Sequence, residues 1–95
     1  MSASTHHNHY QLLLAMLKVT RQSKGVTQIE LAARLGNTQT FVSKMERGGR
    51  RLDAIELIEV LEALEVDPKA WLDQFIIERK NAQKRVKSAR KISMQ

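Results

Sequence analysis

The sequence predicts a single all-α domain of five helices, and three observations carry that prediction. Apolar residues recur three and four positions apart from Tyr10 to Ile77, the period of helices with one buried face. Helix-start signals recur at Thr27, Asp53 and Asp67. Aromatic residues make up 4% of the chain and proline occurs once, a composition that argues against an all-β domain. Its 95 residues supply one modest core and not two.

Residues 1–8 are polar and aperiodic and read as a disordered arm ahead of a domain over residues 9–78. His6, His7 and His9 lack a carboxylate or a rigid helix to complete a metal site, so they read as solvated, and no metal or cofactor is implied. Residues 9–23 form the first helix, with Tyr10, Leu13, Leu14, Leu17 and Arg21 on one stripe. Arg21 extends an apolar face, as a snorkelling rim residue or as half of a buried pair. Lys24-Gly25 closes that helix.

The organising stretch is residues 27–46, two short helices about a tight turn. Thr27-Gln28-Ile29-Glu30 is a capping box, stapled by Val26 and Leu31. Leu31, Ala32 and Leu35 share a face, and Gly36 ends the helix where the chain turns left-handed. Thr38 caps a third helix that buries Val42 and Met45 and turns Gln39, Thr40, Ser43, Lys44 and Arg47 outward. Ala32 is small where the third helix crosses, and Gly36 follows four residues on. Such a pair projects its second helix by the N-terminal end. Here that end shows an amide, a hydroxyl and an ammonium, groups that meet base edges and phosphates. The plainer alternative is a helical hairpin with a polar solvent face.

Arg47-Gly48-Gly49-Arg50-Arg51 is a loop, since two glycines stop the helix, and its arginines follow the outward-facing helix directly. That position favours phosphate contact over a merely solvated run. Asp53-Ala54-Ile55-Glu56 opens the fourth helix with a second capping box. Ile55, Ile58, Leu61 and Leu64 are expected to supply its core stripe, and Glu56, Glu59, Glu62 and Glu65 an acidic ridge turned away from any polyanion. Asp67-Pro68 starts the fifth helix, with Val66 stapled to Trp71. Trp71, Leu72, Phe75, Ile76 and Ile77 place apolar groups around more than half its circumference. The excess marks Trp71, Phe75, Ile76 and Ile77 as a candidate dimer surface, unless Trp71 and Phe75 complete the core.

The net charge of +6 is unevenly placed. Residues 79–91 hold seven basic groups and no acid, which leaves nine basic against ten acidic residues elsewhere. Residues 79–95 thus read as a basic tail, too poor in apolar mass to fold alone, and suited to a polyanionic partner. With no cysteine, no stretch long enough to span a membrane and no signal peptide, the chain is expected in the cytoplasm. No nucleophile–base pair, metal cluster or phosphate loop supports an enzyme.

The runs TQIELAARLG, TQTFVSKMERG and LIEVLEALEVDPKAWL together resemble the lambda-repressor-like helix-turn-helix family of phage repressors, Cro proteins and Xre-type regulators. The resemblance covers residues 9–75. It implies a five-helix domain that binds double-stranded operator DNA through its third helix, usually as a homodimer on a palindrome. By position it puts Gln39, Thr40 and Lys44 on bases, with Ser43 and Phe41 on the same face. It places Gln28, Thr38, Arg47, Arg50 and Arg51 on phosphates, and makes Arg21 and Glu46 a structural salt bridge. No effector domain follows, so a stand-alone regulator is expected, with no small-molecule ligand implied. An antitoxin-type module or a protein–protein adaptor is the alternative use of the same fold.

Overall fold

In the computed structural model, the backbone is described for residues 2–93 and the side chains for residues 8–84. Five helices follow in order: α1 (Ser2–Ser23), α2 (Gln28–Leu35), α3 (Gln39–Arg47), α4 (Ala54–Ala63) and α5 (Pro68–Ser93). Their starts are set locally. Thr27 accepts from the Glu30 N–H while Glu30 accepts from the Thr27 N–H, both at 3.0 Å. Asp53 and Glu56 repeat that exchange at the head of α4. Thr38 accepts from the Phe41 N–H at the head of α3. Each cap satisfies a helix-end N–H that the helix itself leaves without a partner.

The first four helices end alike. In each, an N–H two or three residues past the end bonds the carbonyl five residues back: Val26 to Arg21, Asn37 to Ala32, Gly49 to Lys44 and Val66 to Leu61. This geometry needs a left-handed residue before the donor. Gly25, Gly36 and Gly48 supply it three times, and Glu65 (φ 61°) supplies it at the α4–α5 corner. A side chain there costs energy that glycine avoids.

The core gathers Leu17, Val26, Leu31, Ala32, Val42, Met45, Leu57, Val60, Leu61, Leu64 and Trp71. The face of α4 is not the expected one. Leu57, Val60, Leu61 and Leu64 point inward, whereas Ile55 and Ile58 are exposed beside Glu59 and Glu62. Apolar residues lie on both sides of α4, so the three-residue spacing of 55, 58, 61 and 64 did not identify the packed side. Contact with α2 does, where Arg34 also reaches over to bond the Ala63 carbonyl.

Trp71 corrects the candidate dimer surface. Its ring is 6% exposed, and its indole N–H donates to the Thr20 hydroxyl at 2.9 Å, which in turn donates to the Met16 carbonyl. Phe75 stacks on Trp71 with ring centroids 6.1 Å apart and is half-buried. Only Ile76 and Ile77 of that set are exposed. The face of α5 turned to α1 is wide enough to absorb both aromatics.

Both outer helices exceed their expected bounds. Helix α1 begins at Ser2 where a disordered arm was expected, and α5 runs unbroken to Ser93 through the basic stretch. The two pair antiparallel: Thr20 meets Trp71, and nearer the start of α1 the Arg79 guanidinium donates to His9 Nδ1 at 3.2 Å. Between these contacts each has the other as a neighbour, and no glycine or proline follows Pro68 to stop propagation. The radius of gyration, 15.2 Å, exceeds the roughly 12 Å of a compact chain this long because these helices extend past the core. The side chains of His6, His7 and residues 85–95 lie outside the described residues. Among the described residues, no helix is long and apolar enough to cross a membrane.

Candidate nucleic-acid interface

Helix α3 buries Val42 and Met45 completely, which fixes its rotation about its own axis. Gln39, Thr40, Lys44 and Arg47 are therefore exposed, with Ser43 half-buried between them. The inward anchor is an ion pair. Arg21 Nε and NH2 donate to the two Glu46 oxygens at 2.6 and 3.1 Å, and Arg21 NH1 donates to the Val26 carbonyl at 2.7 Å. With side chains 9% and 5% exposed, this pair ties the end of α1, the α1–α2 turn and the last turn of α3 together.

The pair also reaches the surface. Glu46 Oε1 accepts a further bond from Gln28 Nε2 at 3.0 Å, and Gln28 Oε1 accepts a long one, 3.4 Å, from Gln39 Nε2. A carboxylate only accepts, so it turns the Gln28 nitrogen inward, which leaves the Gln28 oxygen to face Gln39. Gln28, which the resemblance puts on a phosphate, has its carbonyl on Gln39 and one of its two N–H groups on Glu46. Gln39 keeps its own oxygen and one N–H for a ligand.

The three loop arginines divide. Arg50 grips Glu56 with two bonds of 3.0 and 2.6 Å and lies over the Phe41 ring, 4.5 Å from its centroid. Of the three expected on phosphates, Arg50 is thus the one paired with a carboxylate of α4. The contact raises the Arg50 pKa, and it holds the Glu56 carboxyl below its usual value with help from the Asp53 N–H. Under that guanidinium, half-buried Phe41 packs on the core and not on the outer face of α3. Lys44, Arg47 and Arg51 are exposed and have no carboxylate partner among the described residues. Arg51 lies over Tyr10, 4.9 Å from the ring centroid, and the Tyr10 hydroxyl accepts the Leu52 N–H at 2.8 Å.

Sequence reasoning missed this last contact, because Tyr10 falls on the apolar stripe of α1 and its loop partners lie 42 residues away. It also missed the bond from Gln28 to Glu46, which no local spacing announces.

An exposed amide, hydroxyl and ammonium thus stand together on a firmly set helix, flanked by Arg47 and Arg51, which have no carboxylate partner among the described residues. The helix-turn-helix family model matches residues 17–71, more than half of the chain. An XRE-family-like protein from Pseudomonas syringae pv. tomato is 43% identical, with a TM-score of 0.78 over 81% of this chain and 94% of that one. The clp gene regulator ClgR of Corynebacterium glutamicum superposes with a TM-score of 0.73 at 26% identity, over 90% of this chain and 92% of its own. The HTH-type transcriptional regulator y4dJ of Sinorhizobium fredii, itself uncharacterised, is 46% identical over 46 residues, 48% of this chain and 60% of that one. The chain thus spans about three-fifths of the length of this curated relative. It belongs to the XRE-type helix-turn-helix family of DNA-binding transcription regulators.

Proposed function

We propose that this protein is a cytoplasmic repressor that binds palindromic operator DNA as a homodimer. Gln39, Thr40 and Lys44 read bases in the major groove with Ser43 beside them, while Thr38, Arg47 and Arg51 hold phosphates. One observation carries this reading: the polar groups of α3 are exposed together on a helix whose rotation is fixed by buried Val42 and Met45 and anchored by a buried ion pair. Base readout needs such preorganisation, since each bidentate contact discriminates by only about 1–3 kcal/mol. Repression requires no more than occupancy of the operator. Ile76 and Ile77, exposed on α5, offer apolar surface for a second copy.

The test is selection of bound sequences from random duplex DNA at physiological salt. A palindrome with half-sites about one helical turn apart is the expected product and supports both readout and dimeric binding. A single unpaired half-site would remove the dimer from the proposal. No enrichment at all would remove base reading and favour the adaptor use of the fold.

A further inference from the structure

We infer that Tyr10, on α1, is a direct contact for a DNA phosphate, paired with Arg51 in one binding site at the α3–α4 loop. The inference rests on the DNA-binding reading above. Tyr10 sits 17 residues before the cap of α2, on a helix to which that reading gives no DNA contact.

A phenol hydroxyl accepts and donates. Here the acceptor side is taken by the Leu52 N–H, which fixes where the oxygen lies, and the hydroxyl proton has no acceptor among the described residues. Directly over the same ring lies the exposed Arg51 guanidinium, which the aromatic face holds in place without neutralising it. A cation and an unspent O–H donor thus share one spot on the loop that follows α3.

Two surroundings bear on an anion there. The adjacent His9 accepts at Nδ1 from Arg79, which holds a further cation at the same end of α1. Gly48 brings the loop against α1, where a Cβ would lie 3.1 Å from Gln11 Nε2 and 3.5 Å from Leu14. A phosphate oxygen accepting from both Tyr10 and Arg51 would receive one neutral and one charge-assisted bond. The backbone of any sequence offers that group, so the site adds affinity and not base choice.

The two bonds differ in their response to salt, which makes the proposal testable. A guanidinium on a phosphate displaces a counterion and a phenol does not. Binding of the wild type, Tyr10→Phe and Arg51→Ala is measured across a salt series, on a selected duplex and on one of scrambled sequence. Tyr10→Phe is expected to weaken both complexes about tenfold with the salt slope unchanged. Arg51→Ala is expected to make the log–log slope shallower by about 0.9 for each protomer bound, about 1.8 for the dimer. Tyr10 is the only tyrosine in the chain, so a fluorine-labelled tyrosine reports on this position alone and is expected to shift on addition of either duplex.

Unchanged affinity in Tyr10→Phe overturns the contact. A slope that shrinks in Tyr10→Phe as it does in Arg51→Ala also overturns it, since Tyr10 would then act only by holding the arginine. A fluorine signal blind to DNA does the same, whatever Tyr10→Phe does to loop stability. If the wild type binds neither duplex, the parent reading fails along with this one, a result distinct from a defect confined to the variants.

Discussion

The α2–α3 half of the domain and the α4–α5 half are closed by different means. In the first, a charged pair is buried under a short helix with little apolar surface of its own, and glycines turn both helix ends. In the second, apolar residues exceed what the core can take, the ion pair of Arg50 and Glu56 stays partly exposed, and Glu65 turns the corner. The contrast locates where geometry is held tightly. Directional bonds add to the buried Val42 and Met45 in fixing α3, whose side chains would meet DNA in register on the proposed reading, whereas less directional packing suffices for α4 and α5.

The most severe disruption of that contrast should come from Glu46→Ala. It leaves the Arg21 charge buried without its partner, and the expected loss of stability is about 3–5 kcal/mol, read by denaturant unfolding. A loss as small as that of an exposed pair would mean that α3 is held by Val42 and Met45 alone. Next, Lys44→Ala and Arg50→Ala divide readout from scaffold. Lys44→Ala should cost about 1–3 kcal/mol on the selected sequence and much less on random DNA. Arg50→Ala should leave the salt slope of binding unchanged, because its charge is already spent on Glu56. A shallower slope in Arg50→Ala would show that DNA draws this arginine off α4.

A milder substitution probes the contrast from the other side. Glu65→Gly relieves a left-handed side chain at the one corner of the four that lacks glycine. It should raise stability by about 0.5–1 kcal/mol, the strain relieved being partly offset by the flexibility that glycine adds to the unfolded chain. Thermal melting measures it, and a lower melting temperature would mean that the Glu65 side chain contributes something that its backbone does not show.

What was legible in the sequence follows the same division. Thr27, Thr38 and Asp53 announce helix starts because a cap is a contact over two or three residues, and Gly25, Gly36 and Gly48 announce ends for the same reason. The outward face of α3 was also legible, since Val42 and Met45 leave only one side for Gln39, Thr40 and Lys44. The packed face of α4 was not, because Ile55 and Ile58 are as apolar as Leu57 and Val60, and only the neighbouring helix distinguishes them. Nor could local pattern tell Arg50 from Arg51. One finds Glu56 one helix turn into α4 and the other finds Tyr10 on α1, and consecutive arginines carry no mark of that. The pairing of α1 with α5 was hidden too, since His9 and Arg79 lie 70 residues apart.

Trp71 has a practical consequence beyond packing. It is the single tryptophan of the chain, sheltered from water and hydrogen-bonded across to α1. Its emission is therefore an optical gauge built into the seam between α1 and α5, far to the blue while the seam is shut and moving red as water enters. Any binding event that levers the two helices apart can be watched through this one ring, without a label and without altering the exposed groups of α3.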